Sequence, residues 1–338
     1  MLEKNNLNET VATEVNFTNQ PKYSEHEVDA AFNERRERLL PLIKEFISTH
    51  PLFLNKKVDV TFMHSGISSL VCKLDTGKTK LILKIPLSRL NSRLEGVFLK
   101  TWENLGVKVP HVLEEGEITE QPYVLMEYID SETISSAYTK EEMLEKNVYY
   151  DLGKLLKKMH QAKTKGYSNV VNKESKPEYS NITLWLQGDS NLHRQIEYIK
   201  EHKLLNDEQH GSIEDVFKIL ISNIKDSEES VYCHNDFGGG NVFATKPFTV
   251  FDPWPCFHHP FMDVTRSLYH KISIGKMGTT GEQFMKGYFG DEKYDKKLFH
   301  AFMILNIHAR LPYMHKTKGM DKIENIQKYP ENTKKYLD

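Results

Sequence analysis

The chain has 338 residues, 39% hydrophobic and 27% charged, with a formal net charge of −2. This composition is typical of a globular protein with about two domains, and the balanced charge gives no electrostatic case for binding nucleic acid. The sequence has no run of about 18 apolar residues that would indicate a membrane span, and its polar N-terminal stretch does not resemble a secretory signal. The three cysteines lack CxxC spacing and do not indicate a zinc site or a disulfide framework. A reduced cytoplasmic protein is therefore expected.

The first part of the chain is predicted to hold a helix followed by a small β-rich domain. Residues 1–23 have little apolar content, and we expect a loose tail. Residues 24–54 carry a helical pattern that should bend or break at Pro41. Residues 55–130 contain one helical pattern and five short β-type runs. These runs are Val58–Met63, Leu70–Leu74, Leu81–Ile85, Val112–Gly116 and Tyr123–Ile129.

Residues 131–338 are predicted to be mainly helical. Apolar residues recur at helical spacing in four segments, 148–159, 213–224, 263–272 and 292–310. Residues 161–180 are polar and should form a long loop. The order of elements therefore predicts an α+β protein with a small β-rich lobe, a hinge near residue 130 and a larger helical lobe. Clefts between such lobes are common ligand sites.

One stretch, VYCHNDFGGGNVF at residues 231–243, places polar side chains between two β-prone runs. We expect Gly238–Gly240 to take positive φ and to allow a ligand to approach closely. Asp236 can orient or deprotonate a hydroxyl, and Asn241 offers a neutral oxygen suited to Mg²⁺. Asp252 follows the next apolar run, so a strand that returns beside the first would bring it next to Asn241.

The pattern H-x-D-x-x-x-x-N, followed by an Asp after a strand, resembles the aminoglycoside phosphotransferase and choline kinase-like family, small-molecule relatives of the protein kinases. The resemblance implies a two-lobed protein-kinase-like fold. It implies that Asp236 is catalytic, that Asn241 and Asp252 hold Mg²⁺, and that His234 braces the loop. Asp263, which we expect to cap a helix N-terminus, would in this family also brace the catalytic segment.

Two charged residues of the first part match the family in order. Lys84, in LILKIP, resembles the strand lysine that reaches the nucleotide phosphates, and Glu95 resembles its partner on the following helix. Taken alone, Lys84 fits the edge of a strand and Glu95 fits a solvated helix. The match of the whole region 58–272 favours the site interpretation for both residues.

The nucleotide contacts implied by the resemblance come from two further segments. HSGISS, with Ser65 and Gly66, stands where the turn over the phosphates is expected, and YVLMEYID resembles the family's hinge, with the backbones of Glu127 and Ile129 facing adenine. The turn has one glycine instead of G-x-G-x-x-G. Asp252 is followed by Pro-Trp rather than Phe-Gly, and Asp-Pro resembles the branches that act on streptomycin-like drugs and on fructosamines.

The expected activity is transfer of the γ-phosphate of ATP, or GTP, to a hydroxyl of a small molecule with the help of Mg²⁺. Residues 187–230 hold ten Asp or Glu and five Lys or Arg, which would attract a cationic aminoglycoside or amino sugar, although a solvated helical surface explains the charge equally well. Choline, ethanolamine, fructosamines, other sugar derivatives and a protein hydroxyl remain alternative acceptors. The role is antibiotic resistance or metabolism, in a monomer or homodimer without nucleic-acid or membrane partners.

Two other classes of function stay open. The chain would be a nucleotide-binding regulator if it lacked turnover. It would be a divalent-metal hydrolase if His258 joined His234 and Asp236 at one ion. Because adjacent histidines on an extended chain point to opposite sides, we instead expect His258 and His259 to be loop residues that face the cleft. Cys256 is interpreted as a small buried residue rather than a nucleophile.

Overall fold

The computed structural model describes residues 12–23, 30–63, 68–87, 95–169, 175–273 and 278–318. The chain forms two compact units, one of Met1–Arg89 with His111–Tyr128 and one of Leu90–Pro110 with Ile129–Asp338. The predicted α+β class is confirmed. Near residue 130, the first unit ends at Tyr128 and the second unit continues from Ile129. The helix expected inside the β-rich lobe belongs to the second unit instead. Among the described helices, none has the length and hydrophobicity needed to cross a membrane.

The first unit is a sheet packed against one long helix. Its elements are β1 (Glu14–Phe17), α1 (Ala30–Thr49), β2 (Lys57–Phe62), β3 (Ser69–Asp75), β4 (Lys80–Pro86), β5 (Val112–Ile118) and β6 (Gln121–Glu127). The strand order is β1-β2-β3-β4-β6-β5, with β1 parallel to β2 and the other pairs antiparallel. Every second residue of β2 and β3 is buried, as the alternating apolar pattern predicted.

Helix α1 runs through Pro41 as one helix, so the expected break does not occur. Leu39, Ile43 and Ile47 lie on both sides of the proline and are buried in the core of the first unit. Burial of three large apolar side chains outweighs the one backbone hydrogen bond that a proline removes.

Strand β1 lies within residues 1–23, for which we expected a loose tail. Phe17 pairs with Val60 in parallel register, and its ring stacks on Phe62 with 5.7 Å between centroids. Val15 and Phe17 alternate with polar residues, and this period of two is the signal of a strand with one apolar face. The low overall apolar content of the stretch concealed that signal.

The second unit is mainly helical. Its helices are α2 (Glu95–Asn104), α3 (Ile134–Ala137), α4 (Lys140–Glu145), α5 (Val148–Met159), α6 (Ile182–Gly188), α7 (Ser190–Glu201), α8 (Asp207–Asn223), α9 (Phe261–Ser273), α10 (Gly278–Phe289) and α11 (Lys296–Lys318). Its strands are β7 (Lys163–Thr164), β8 (Ser230–Cys233), β9 (Val242–Phe243), β10 (Thr249–Val250) and β11 (Cys256–His258). They form the antiparallel sheets β11-β8-β7 and β10-β9. Because β7 pairs with β8, residues 161–180 are not one continuous loop as expected.

Helices α5 and α10 approach each other at two glycines. A Cβ atom added to Gly153 would lie 2.2 Å from the carbonyl oxygen of Phe284, and one added to Gly287 would lie 2.0 Å from that of Tyr150. Both contacts are with backbone, which cannot rotate away as a side chain can. Only glycine therefore allows this packing, which holds α5 against α10.

Candidate active site

The loop of residues 234–241 joins β8 to β9, and its conformation differs from the expectation in one respect. None of its three glycines has φ in the left-handed region; the left-handed residue of the loop is Asn235, at φ 56°. Asp252, which follows β10, is also left-handed, at φ 55°. Asn and Asp tolerate this region better than most residues do. Gly239 instead allows a close approach, because a Cβ atom there would lie 2.7 Å from Ser135 Oγ.

The imidazole of His234 is buried and uses both of its nitrogens within the protein. Nε2 donates to the carbonyl oxygen of Phe251 at 2.9 Å, and Nδ1 accepts the backbone N–H of Asp236 at 3.3 Å. Burial lowers the pKa of His234, although the nearby carboxylates of Asp263, Asp236 and Asp252 act in the opposite direction. The ring is thus a neutral imidazole that links the 234–241 loop to the residue before Asp252.

A buried carboxylate holds the beginning of the same loop. Asp263 accepts the backbone N–H of His234 at 2.6 Å and that of Asn235, and it also contacts His160 Nε2 at 3.1 Å. His160 Nδ1 in turn lies 2.7 Å from the hydroxyl of Tyr288. We expected Asp263 to be a helix N-cap, and this was wrong, because α9 begins two residues earlier, directly after a proline. The bracing role of Asp263 stays a prediction, and these hydrogen bonds to the loop are consistent with it.

The side chains of Asp236 and Asn241 are joined directly. Asn241 Nδ2 donates to Asp236 Oδ2 at 2.9 Å and to the carbonyl oxygen of Asp236 at 2.8 Å. Since both N–H bonds of the amide are used, Oδ1 is the atom of Asn241 that is suited to bind a cation. The same contacts fix the position of the Asp236 carboxylate.

Asp252 is placed beside Asn241 by the strand that returns after the loop. Val250 of β10 pairs with Val242 of β9, and the N–H of Phe251 donates to the carbonyl oxygen of Asn241 at 3.1 Å. Asp252 is the next residue and is exposed. One amide oxygen and one carboxylate form a donor set that fits Mg²⁺, which usually takes one or two protein oxygens and completes its shell with water and phosphate.

Several residues around these oxygens were not singled out by the sequence. The rings of Phe243 and Phe251 stack at 4.0 Å between centroids, and both are half-buried. Trp102 of α2 lies parallel to the His234 ring at 5.9 Å. The available signal for the phenylalanines was the matching pair of runs NVF and TVF, whereas the Trp102 contact depends on tertiary packing.

Lys84 and Glu95 are both buried, in different units. Lys84 lies on β4, an interior strand, where it pairs with Val71 and Val124 and is 6% exposed. Glu95 is the first residue of α2 and is 4% exposed. The interpretations of Lys84 as a lysine at the edge of a strand and of Glu95 as a solvated helix residue are therefore both wrong. The ion pair between these residues stays a prediction.

The residues expected to contact the nucleotide base lie at the end of β6. The N–H of Glu127 donates to the carbonyl oxygen of His111 at 2.9 Å, so the carbonyl of Glu127 is the group left for a base. Ile129 follows two residues later and is the first residue of its segment in the second unit. Ser65 and Gly66 lie outside the described residues, so the expected phosphate turn stays a prediction.

The two adjacent histidines do not face a ligand site as expected. His258 is fully buried in β11 and packs edge-on against Trp185, with 4.4 Å between centroids. His259 is also buried, and its Nε2 lies 3.5 Å from Glu228. Burial lowers the pKa of both rings. Because His234 has no free nitrogen, the proposed metal centre of His234, Asp236 and His258 loses its support.

Within the part of the chain that the structure describes, one other group has ligand-like spacing. The ligand atoms of His160, Cys233 and Asp263 all lie within 4.8 Å of one another and are buried. The nitrogen atoms of His160 and the carboxylate oxygens of Asp263 are already hydrogen-bonded. We therefore interpret this group as the set of contacts that holds the 234–241 loop, called here the loop brace. Cys72, Cys233 and Cys256 are buried free thiols, and burial raises the pKa of the first two. The burial of Cys256 agrees with its interpretation as a small buried residue.

Comparisons with known proteins identify the family and the fold of the chain. A family model described as "Phosphotransferase enzyme family" (APH) matches residues 59–296. The aminoglycoside phosphotransferase APH(4)-Ia is 15% identical, with a TM-score of 0.61 over 91% of this chain and 98% of that one. A putative fructosamine-3-kinase from Thermobifida fusca is 14% identical, with a TM-score of 0.56 over 83% and 95%. No curated protein sequence matches. At these identities the structural likeness shows the fold, and the predicted kinase-like fold is confirmed.

Proposed function

The chain belongs to the phosphotransferase enzyme family and is a small-molecule kinase, and we propose that it transfers the γ-phosphate of ATP or GTP to a hydroxyl group of a small cationic molecule. The observation that supports this most strongly is the grouping of Asp236, Asn241 and Asp252. Asn241 Nδ2 hydrogen-bonds the Asp236 carboxylate, and Asp252 directly follows the residue that pairs with Asn241.

Asp236 is the proposed catalytic residue. Its Oδ2 accepts from Asn241, which leaves Oδ1 to accept a hydrogen bond from the substrate hydroxyl and to aim that oxygen at the γ-phosphorus. Positioning of this kind supplies much of the acceleration of phosphoryl transfer, because the transition state is loose. The rigid attachment of the loop through His234 and Asp263 keeps the carboxylate in place.

Asn241 and Asp252 are the residues that would hold Mg²⁺. When bound, the ion neutralises charge on the phosphates. The amide orientation supports this assignment, since the Asn241 nitrogen is occupied by Asp236 and the oxygen remains.

The nucleotide would be held by the residues that the family resemblance implies. The structures of APH(4)-Ia include ternary complexes of hygromycin B with ADP or with AMP-PNP, which supports a nucleotide site in this chain. We assign the phosphates to Lys84, positioned by Glu95, and to the turn with Ser65 and Gly66. Adenine would contact the backbone of Glu127, through its carbonyl, and that of Ile129.

The acceptor is proposed to be an aminoglycoside or amino sugar. The net charge of −5 between residues 187 and 230 would attract an amine. A fructosamine is the second candidate, supported by the Asp252-Pro253 dipeptide and by the likeness to a putative fructosamine-3-kinase.

The direct test is a panel of acceptors incubated with the full chain, ATP and Mg²⁺, and examined by mass spectrometry for an added phosphate. The panel contains hygromycin B, other aminoglycosides, fructosyl-lysine, choline, ethanolamine and neutral sugars. We expect a phosphorylated amine-bearing acceptor with the wild-type chain and none with Asp236→Asn. Nucleotide binding without any phosphorylated product would instead support the regulator alternative.

A further inference from the structure

One of the three tryptophans is displayed to solvent beside the proposed site. Trp102 and Trp185 are fully buried, whereas Trp254 is 38% exposed. Trp254 stands two residues after Asp252, in the sequence D-P-W-P. Single exposed apolar residues are common on protein surfaces, so exposure alone does not indicate a function for Trp254. Its backbone contacts provide the further evidence.

The backbone of Trp254 is fixed from both sides. Pro253 and Pro255 flank it, both are buried, and each proline restricts its own φ to about −65°. The N–H of Trp254 donates to the carbonyl oxygen of His234 at 2.8 Å, which ties it to the loop that carries Asp236. Asp252 and Trp254 are exposed while the prolines are buried, so this short segment presents a carboxylate and an indole to solvent together.

An indole positioned in this way matches the chemistry of one ligand class. Its face is apolar and carries a negative quadrupole, so it packs on the C–H face of a saturated ring and attracts a cation. A rigid aromatic side chain also contributes contact area at a small cost in conformational entropy. A sugar or cyclitol ring that bears a protonated amine has both features.

We propose that Trp254 is a specificity-determining residue that stacks against the ring of a cationic acceptor and orients its hydroxyl toward Asp236. The inference rests on the proposed function and adds the residue that selects the acceptor. It predicts that amino-sugar acceptors are preferred over neutral polyols of similar size.

Acrylamide quenching of tryptophan fluorescence tests this without turnover. Since Trp102 and Trp185 are buried, the difference between wild type and Trp254→Phe isolates the quenchable emission of Trp254. We expect hygromycin B or fructosyl-lysine to protect this emission and myo-inositol, as a neutral control, to give much weaker protection. If neither amine protects it, or if myo-inositol protects it equally well, the inference is wrong.

Kinetics with the same amine provide the second readout. Trp254→Leu should raise the KM for the amine about 10-fold, with the KM for ATP nearly unchanged, whereas Trp254→Phe keeps most of the affinity. Tyr313→Leu is the matched control, because Tyr313 is equally exposed at 38% on α11. Phosphate transfer with an unaltered KM in Trp254→Leu would reject the inference and leave the proposed function standing. Protection of Trp254 without any phosphate transfer would reject the function instead.

Discussion

At the scale of single residues, the site is organised by hydrogen bonds among its own side chains. The carboxylate of Asp236 is oriented by the amide of Asn241, and the backbone before it is held by Asp263 and His234. In the proposed function, Asp236 orients the acceptor hydroxyl, and such a group must be held within a few tenths of an ångström. The contacts of Asp236, Asn241, Asp263 and His234 would provide that rigidity before any substrate binds.

The first prediction concerns Asp236, the proposed catalytic residue. Asp236→Ala should lower kcat by about 10²–10⁴-fold, because it removes the group that orients the hydroxyl, while nucleotide affinity is largely retained. Asp291→Ala is the control, since Asp291 is exposed and lies between α10 and α11, outside the acidic segment 187–230. Steady-state kinetics and nucleotide titration give the two readouts. Loss of nucleotide affinity with unchanged turnover would contradict the role.

The sequence predicted much of this site at residue level and missed what depends on tertiary contacts. Asp236, Asn241 and Asp252 could be identified because a loop and a returning strand bring them together locally. The partners His160 and Tyr288 are far away in sequence, and no local pattern indicates that they reach Asp263. The left-handed conformation was predicted for the glycines, but in the structure Asn235 and Asp252 adopt it.

At the scale of secondary-structure elements, the packing of α5 on α10 supports the loop brace. Helix α5 is followed directly by His160, and α10 carries Tyr288, which contacts it. The close approach of the two helices at Gly153 and Gly287 therefore helps to position the chain of contacts that ends at Asp263. A helical pattern predicted α5, whereas the four predicted helical segments did not include α10. The need for glycine where the two helices cross appears only when the helices are packed.

The second prediction tests this crossing. Gly153→Ala and Gly287→Ala should each reduce the free energy of unfolding by about 2–4 kcal/mol, because the added methyl group meets backbone atoms. Lys154→Ala, an exposed change on the same helix, is the control. Urea denaturation measures the effect. Equal stability of Gly153→Ala and Lys154→Ala would show that the helices do not approach this closely.

Tertiary packing also explains the two elements of the first unit that differ from expectation. Apolar residues on both sides of Pro41 face one core, so α1 continues through it. Strand β1 forms because Val15 and Phe17 find a partner edge in β2, and an isolated stretch of such low apolar content gives no sign of that partner. The strands β2 to β6 were predicted well because each carries its own apolar period.

At the scale of the whole molecule, buried histidines make stability depend on pH. Burial lowers the pKa of His234, His258 and His259 below the ordinary value. Below about pH 6.5 these histidines bind protons in the unfolded chain but remain neutral in the folded chain. The free energy of unfolding therefore decreases as the pH falls. Above that pH these residues have no such effect.

The third prediction follows from this linkage. Between pH 6.5 and 5.5 the free energy of unfolding should fall by up to about 1 kcal/mol for each of the three histidines. Urea denaturation at pH 7.5, 6.5 and 5.5 provides the measurement. His258→Phe should reduce the slope, and His202→Gln, at an exposed position, should not. A stability that does not change between pH 7.5 and 5.5 would be inconsistent with neutral buried rings.

The central claim is that the oxygens of Asn241 and Asp252 bind one divalent cation next to Asp236. Electron paramagnetic resonance of free Mn²⁺, titrated with the full chain and AMP-PNP, tests it most directly. We predict nucleotide-dependent binding of Mn²⁺, with an affinity that falls at least about 10-fold in both Asn241→Ala and Asp252→Asn. The double variant should bind Mn²⁺ little more weakly than the weaker-binding single variant, because all three variants disrupt the same ion site. Unchanged Mn²⁺ affinity in both single variants would contradict the claim.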